Sequence, residues 1–206
     1  AASANVQVDF LDVPPGNEFH DYIDTIARNR ITVGCHSGTE FCPADPTTRQ
    51  EMAVFLLKSS EGFDYVPPQC TPPGIFSDVP CTPGVGFPDW IEDLYNRGIT
   101  AGCSTDPGPP PTIQYCPTRS VLRSEMAAFL LKTSQGSSYV PPQCTPPGLF
   151  SDVPCNPGVG FSDWIEDLYN RQITGGCLDD PLRYCPDDPN TRGQMAVFLV
   201  KTFGLM

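Results

Sequence analysis

Apolar residues return at helical spacing in two kinds of short stretch. In the first, Trp90, Ile91, Leu94 and Tyr95 form one stripe, repeated at Trp164, Ile165, Leu168 and Tyr169. In the second, Met52-Ala53-Val54-Phe55-Leu56-Leu57-Lys58 returns as Met126–Lys132 and Met195–Lys201. Two short amphipathic helices per unit are therefore predicted. Asp89 or Asp163 is the expected N-cap of the first, with Glu92 or Glu166 as the reciprocal member of a capping box, and Gly98 ends it in the second unit. The second is predicted to start near Thr48, Leu122 or Thr191, with Glu51 or Gln194 completing the box where Thr is present. Leu122 lacks the hydroxyl, so that start is the weaker one. Each second helix ends on a Lys, where a cation suits the helix dipole. Before any helix, Val6-Gln7-Val8-Asp9-Phe10 alternates like an extended strand.

The stretches belong to a repeat. Residues 65–97 and 139–171 match at 30 of 33 positions with an offset of 74 residues, and Phe10-Leu11-Asp12-Val13 opens a diverged third copy. The chain divides into an N-terminal extended segment (1–9) and three units (10–64, 65–138 and 139–206), the last two entered through Pro-rich connections. Such units normally bury their faces against one another. The expected fold class is all-α: two short helices per unit in a pseudo-threefold bundle, with long Pro/Gly-rich, disulfide-stapled loops.

Composition explains the loops. Pro (25) and Gly (18) exclude long uninterrupted helices. The ten cysteines fall in local pairs, Cys35/Cys42, Cys70/Cys81, Cys103/Cys116, Cys144/Cys155 and Cys177/Cys185. Three recur within every unit between Gly-Cys and aromatic-Cys-Pro frames, and two sit in the Pro-rich connections, so five local disulfides are expected, in an oxidising compartment. Each closes a loop of about 8–14 residues, worth roughly 2–3 kcal/mol on the chain-entropy argument. Structural zinc is disfavoured, because no pair has C-x2-C spacing and His20 and His36 are the only histidines. A net charge of −12 with three Lys among 12 basic residues leaves no footprint for nucleic acid, and no stretch reaches the roughly 18 apolar residues a membrane span needs. The start Ala1-Ala2-Ser3-Ala4 reads as a mature secreted chain.

In the second unit the ordered pieces are Phe76-Ser77-Asp78-Val79, Trp90, Gly98-Ile99-Thr100-Ala101-Gly102, Tyr115-Cys116-Pro117 and Leu122-Arg123-Ser124-Glu125-Met126. Thr48-Arg49-Gln50-Glu51-Met52 and Thr191-Arg192-Gly193-Gln194-Met195 stand in the other units. Over residues 8–206 this order resembles the S-layer homology family. The resemblance implies three repeats whose grooves hold an anionic, often pyruvylated, cell-wall polysaccharide. By position it implies Arg49, Arg123 and Arg192 as the residues meeting the acidic sugar, with Trp90, Trp164 and Tyr22 shaping the grooves. Three positions depart from the family pattern: Gln194 for the motif Glu, Leu122 for the motif Thr and Tyr22 for Trp. A structural role competes for each candidate: the arginines as packing ion pairs, the tryptophans as core, and Asp12, Asp78 and Asp152 as turn residues rather than calcium ligands.

No catalytic constellation is apparent. There is no Gly-x-Ser-x-Gly elbow, and the pairs Asp179/Asp180 and Asp187/Asp188 lie in Pro-containing turns. The chain is read as a non-enzyme without cofactor or metal, extracellular and at the cell surface. The first function expected is a structural subunit of a surface layer, sheath or filament. It would associate with copies of itself, partly through Val6, Val8 and Phe10 as an added strand. The alternative is an anchoring module for an acidic cell-envelope glycan.

Overall fold

The described residues of a computed structural model are 9–36, 38–106 and 112–205. The elements run α1 (His20–Arg28), α2 (Arg49–Glu61), α3 (Pro88–Asn96), β1 (Ser104–Asp106), β2 (Thr112–Gln114), α4 (Arg123–Gln135), α5 (Ser162–Asn170), β3 (Leu178–Asp179), β4 (Leu182–Arg183) and α6 (Arg192–Phe203).

The fold is therefore not all-α as expected but mixed, with two antiparallel hairpins, β1–β2 and β3–β4, beside the six helices. The reason lies in the stapled loops. Where Gly-Cys and aromatic-Cys-Pro are bridged, the two arms run side by side and their backbone groups satisfy each other. Cys103 N donates to Gln114 O and Cys177 N to Arg183 O, both at 2.7 Å; Cys35 N to Glu40 O at 2.6 Å makes the shorter counterpart in the first unit. Arms of two or three residues are too short to show an alternating pattern. All five expected disulfides form: Cys35–Cys42, Cys103–Cys116 and Cys177–Cys185 in the loops, Cys70–Cys81 and Cys144–Cys155 in the Pro-rich connections.

The first helices also start differently from the prediction. α3 and α5 begin at Pro88 and Ser162 without a side-chain cap. Asp89 accepts instead from Cys70 N (2.9 Å) and Gly84 N (2.7 Å), and Glu92 from Ile75 N (2.9 Å). Asp163 and Glu166 hold the matching connection in the third unit. The carboxylates bind the Pro-rich connections to the helices, because those loops have few backbone partners of their own. The second helices start as predicted: Thr48 and Thr191 form capping boxes with Glu51 and Gln194, whereas at Leu122 only Glu125 reaches back, to Leu122 N at 3.0 Å.

The helices α2, α4 and α6 pack against one another, and each carries the first helix of the following unit, α3 on α2, α5 on α4 and α1 on α6. Three backbone bonds close the arrangement into a ring, Thr47 N to Asn190 O, Asn190 N to Val121 O and Val121 N to Thr47 O, at 2.9–3.0 Å. The core follows from the stripes. Met52, Leu56 and Leu57, with their counterparts Met126, Leu130, Leu131, Met195, Leu199 and Val200, are all at most 1% exposed. Each such side chain contributes roughly 1.5–3 kcal/mol on burial. The closing contact between the first and last units needs Gly193: a Cβ there would meet the Phe19 ring at 2.5 Å.

Candidate functional site

An Arg opens each second helix and reaches into the stapled loop of the next unit around the ring. Arg49 Nε donates to Tyr115 O (2.8 Å), Arg123 Nε to Tyr184 O (2.9 Å) and Arg192 Nε to Phe41 O (2.8 Å). Each guanidinium also lies over two rings: Tyr115 and Phe129, Tyr184 and Phe198, Phe41 and Phe55, at 4.8–5.7 Å. The three arginines are 1%, 3% and 5% exposed. Burial pulls each guanidinium below its usual pKa, opposed by Tyr115 and Glu125 at Arg49, by Tyr184, Asp188 and Asp152 at Arg123, and by Glu51 at Arg192. All three remain charged.

The loops receiving them share one construction. Asp12, Asp78 and Asp152 each accept two consecutive backbone N–H groups, those of Phe41 and Cys42, Tyr115 and Cys116, and Tyr184 and Cys185, at 2.7–2.8 Å. The second Cys of each pair is left-handed, with φ 56–58°. The recurring Asp was read from sequence as a turn residue; its longer-range task was visible only as the fixed company it keeps with aromatic-Cys-Pro. Gly34, Gly102 and Gly176 are required opposite, because a Cβ would approach the carbonyls of Glu40, Gln114 and Arg183 to 2.4–2.5 Å.

Arg123 and Arg192 thus each floor a groove walled by a Thr-x-Gly turn, a second helix and the Phe at the start of a first helix. The three arginines differ in the side chain that faces the guanidinium from the next unit's second helix. Arg192 Nη1 is paired with Glu51 at 2.8 Å, and its Nη2 bonds Gly34 O at 3.3 Å. Arg49 Nη1 lies 3.5 Å from Glu125, which Arg119 also binds, and its Nη2 bonds Gly102 O at 3.3 Å. At the Arg123 groove the corresponding position is Gln194. Among the described residues no carboxylate pairs with Arg123 there, and its buried Nη2 has no hydrogen-bond partner. Beside it opens a cavity of about 300 Å³, lined by Arg123, Gln194, Lys201, Gly176, Phe19 and Glu18 among others. The equivalent space at Arg192 is about 190 Å³ and adjoins a hollow of about 540 Å³ over Gly34, His36 and Glu51. A wider hollow over Ile75, Ser77 and Ile113 has no charged lining residue.

The remaining candidates separate from these floors. Trp90 and Trp164 are half-buried, edge-on to Tyr65 and Tyr139 (6.2 Å) and below Lys58 and Lys132 (5.9 Å); Tyr22 packs half-buried on the core. Lys58 lines the Arg192 groove, so Trp90 touches that groove only through it. Val6 and Val8 lie outside the described residues. Phe10 is not free to join a neighbour: it is 4% exposed and packs on Phe41 at 5.5 Å. His36 lies among Cys35, Glu40 and Cys42 in a cluster of metal-ligand type, but both sulfurs are in the disulfide and cannot act as thiolates.

The cysteines of the two connections line neither the Arg123 nor the Arg192 groove. Cys81, half-buried and bridged to the buried Cys70, donates its N–H to Pro73 O at 3.1 Å, and Cys155, bridged to Cys144, donates to Pro147 O at 3.0 Å. Cys81 is therefore a staple that folds its connection back on itself.

The arrangement offers fixed cations and backbone donors. The five disulfides suit an oxidising environment, and among the described residues no helix is long and apolar enough to cross a membrane. No family model and no curated protein matches the chain.

Proposed function

We propose that the protein is a non-catalytic, cell-surface binding module for an acidic polysaccharide, held by a sugar carboxylate at Arg123. The supporting observation is the buried Arg123 guanidinium, with an unpartnered Nη2 beside an open cavity. A buried donor without a partner is costly, and a carboxylate is the group a guanidinium binds best, often bidentately. The resemblance to S-layer homology repeats points to the same ligand class.

Calorimetry with a galacturonic acid trimer tests this, its methyl ester serving as the neutral control. Binding of the acid alone, lost in Arg123→Ala, is expected; equal binding of acid and ester, or undiminished binding by the variant, would overturn the reading.

A second reading is self-association into a surface assembly. It is favoured by valines projecting at matched positions of two units, Val66 and Val140 at 80% and 79% exposure and Val85 and Val159 at 63% and 58%. Electron microscopy of the purified chain without glycan separates the two. Ordered polymers would favour assembly, and a uniform monomer would remove it.

A further inference from the structure

We infer that Gln194 sets the stoichiometry and location of anion binding, leaving Arg123 open to a ligand while Glu51 and Glu125 stand as carboxylates beside Arg192 and Arg49. The inference rests on the reading of Arg123 as the carboxylate-binding residue and adds why one arginine of three serves. In the Arg192 groove an anion would have to displace Glu51, already paired at 2.8 Å. At Arg49 it would compete with Glu125, shared between Arg49 and Arg119. A tethered carboxylate competes at high effective concentration, so a free ligand gains little there.

At the Arg123 groove the tether carries no charge. Gln194 Oε1 accepts from Thr191 N at 3.3 Å, which preserves the helix start and leaves the amide NH2 as a donor in the lining. Lys201, exposed and without an ion pair among the described residues, adds a second cation at the mouth. Glu18 lines the same cavity without pairing with Arg123 and works against an anion, but it stands exposed, where water screens it. The ligand that fits is a single carboxylate with hydroxyls around it: the guanidinium takes the acid, Gln194 and the turn take the hydroxyls, and Phe19 offers an apolar face.

The substitutions that test this already exist at equivalent positions. Gln194→Glu reproduces the state at Glu51, and Glu51→Gln the state at Gln194, so both variants retain a natural helix start. Pyruvate is the probe, followed through the arginine Nε–Hε signals by NMR, a readout independent of any polysaccharide. The Arg123 signal is expected to titrate while those of Arg49 and Arg192 stay still. Gln194→Glu should weaken the Arg123 response at least about tenfold, the scale of one charge-assisted bond, and Glu51→Gln should make Arg192 respond. Three arginines shifting alike, none shifting, or an unchanged Arg123 titration in Gln194→Glu would each overturn the inference. Failure of the galacturonate trimer to bind, with pyruvate still selecting Arg123, would sink the polysaccharide reading and leave the role of Gln194 intact.

Discussion

The grooves floored by Arg192 and Arg123 are built from the same parts. Each has a guanidinium bonded to an aromatic residue's carbonyl, stacked between two rings, below a Thr-x-Gly turn and beside a terminal Lys. Yet among the described residues Arg192 makes three polar contacts and Arg123 one. At the facing position Glu51 pairs with Arg192, whereas neutral Gln194 leaves Arg123 Nη2 without a partner. The same residue type at the same repeat position thus has two sets of contacts, decided by its partner in another unit.

The comparison is broken most directly by removing each cation. Arg192→Ala loses the Phe41 and Gly34 carbonyl bonds and the Glu51 pair, and is expected to cost about 3–5 kcal/mol. Arg123→Ala should cost less, about 1–2 kcal/mol, because its loss also relieves an unpaired buried donor. Urea unfolding with the disulfides intact measures both, and equal losses would show that Glu51 contributes nothing to the difference.

Asp152 sharpens the contrast from the loop side. Burial raises its pKa, but the N–H groups of Tyr184 and Cys185, with Arg183 3.5 Å away, outweigh this and hold it below the usual carboxylate value. With the folded value depressed, the unfolded chain binds more protons in acid. The clamp's contribution is then full above the ordinary carboxylate range and is lost as pH falls below about 4 toward the lowered value. Asp152→Asn should cost about 1–3 kcal/mol at neutral pH and flatten that acid limb. A variant whose unfolding free energy keeps the wild-type pH slope would show that the clamp is not the group titrating.

The parts of this architecture that sequence displayed are the ones repeated locally. The cysteine pairs stood out because each returns in the same frame, and the second helices because an apolar stripe follows a Thr-x-x-Glu or Thr-x-x-Gln start. Asp89 and Glu92 misled for the same reason: their spacing satisfies a local cap, while their carboxylates serve Cys70, Gly84 and Ile75 across a loop. The hairpins were hidden by arms of two or three residues. Arg49, Arg123 and Arg192 were recognisable as a set, but Arg192 finds Phe41 from the opposite end of the chain. The departure at Gln194 was legible too; that it strips a partner from Arg123 follows only from the packing of the second unit on the third.

Restoring that partner should stabilise the fold while closing the site. Gln194→Glu is expected to add roughly 1 kcal/mol by pairing the buried guanidinium, raising the melting temperature by about 2–4 °C for a chain of this size. A lower melting temperature would mean that Arg123 is already compensated in solution.

The smallest effect concerns how the second helices start. Leu122 has φ −79° and ψ 153°, matching Thr48 at −77° and 157°, and Glu125 already bonds Leu122 N, so only the hydroxyl half of the capping box is missing. Leu122→Thr would supply an acceptor for Glu125 N, worth about 0.5–1 kcal/mol after some lost apolar contact. It would do so at the first turn carrying Arg123 and leave the groove's charge unchanged. Stability should therefore rise slightly with pyruvate affinity constant. A parallel change in affinity would show that the cap, and not Gln194 alone, sets how Arg123 is presented.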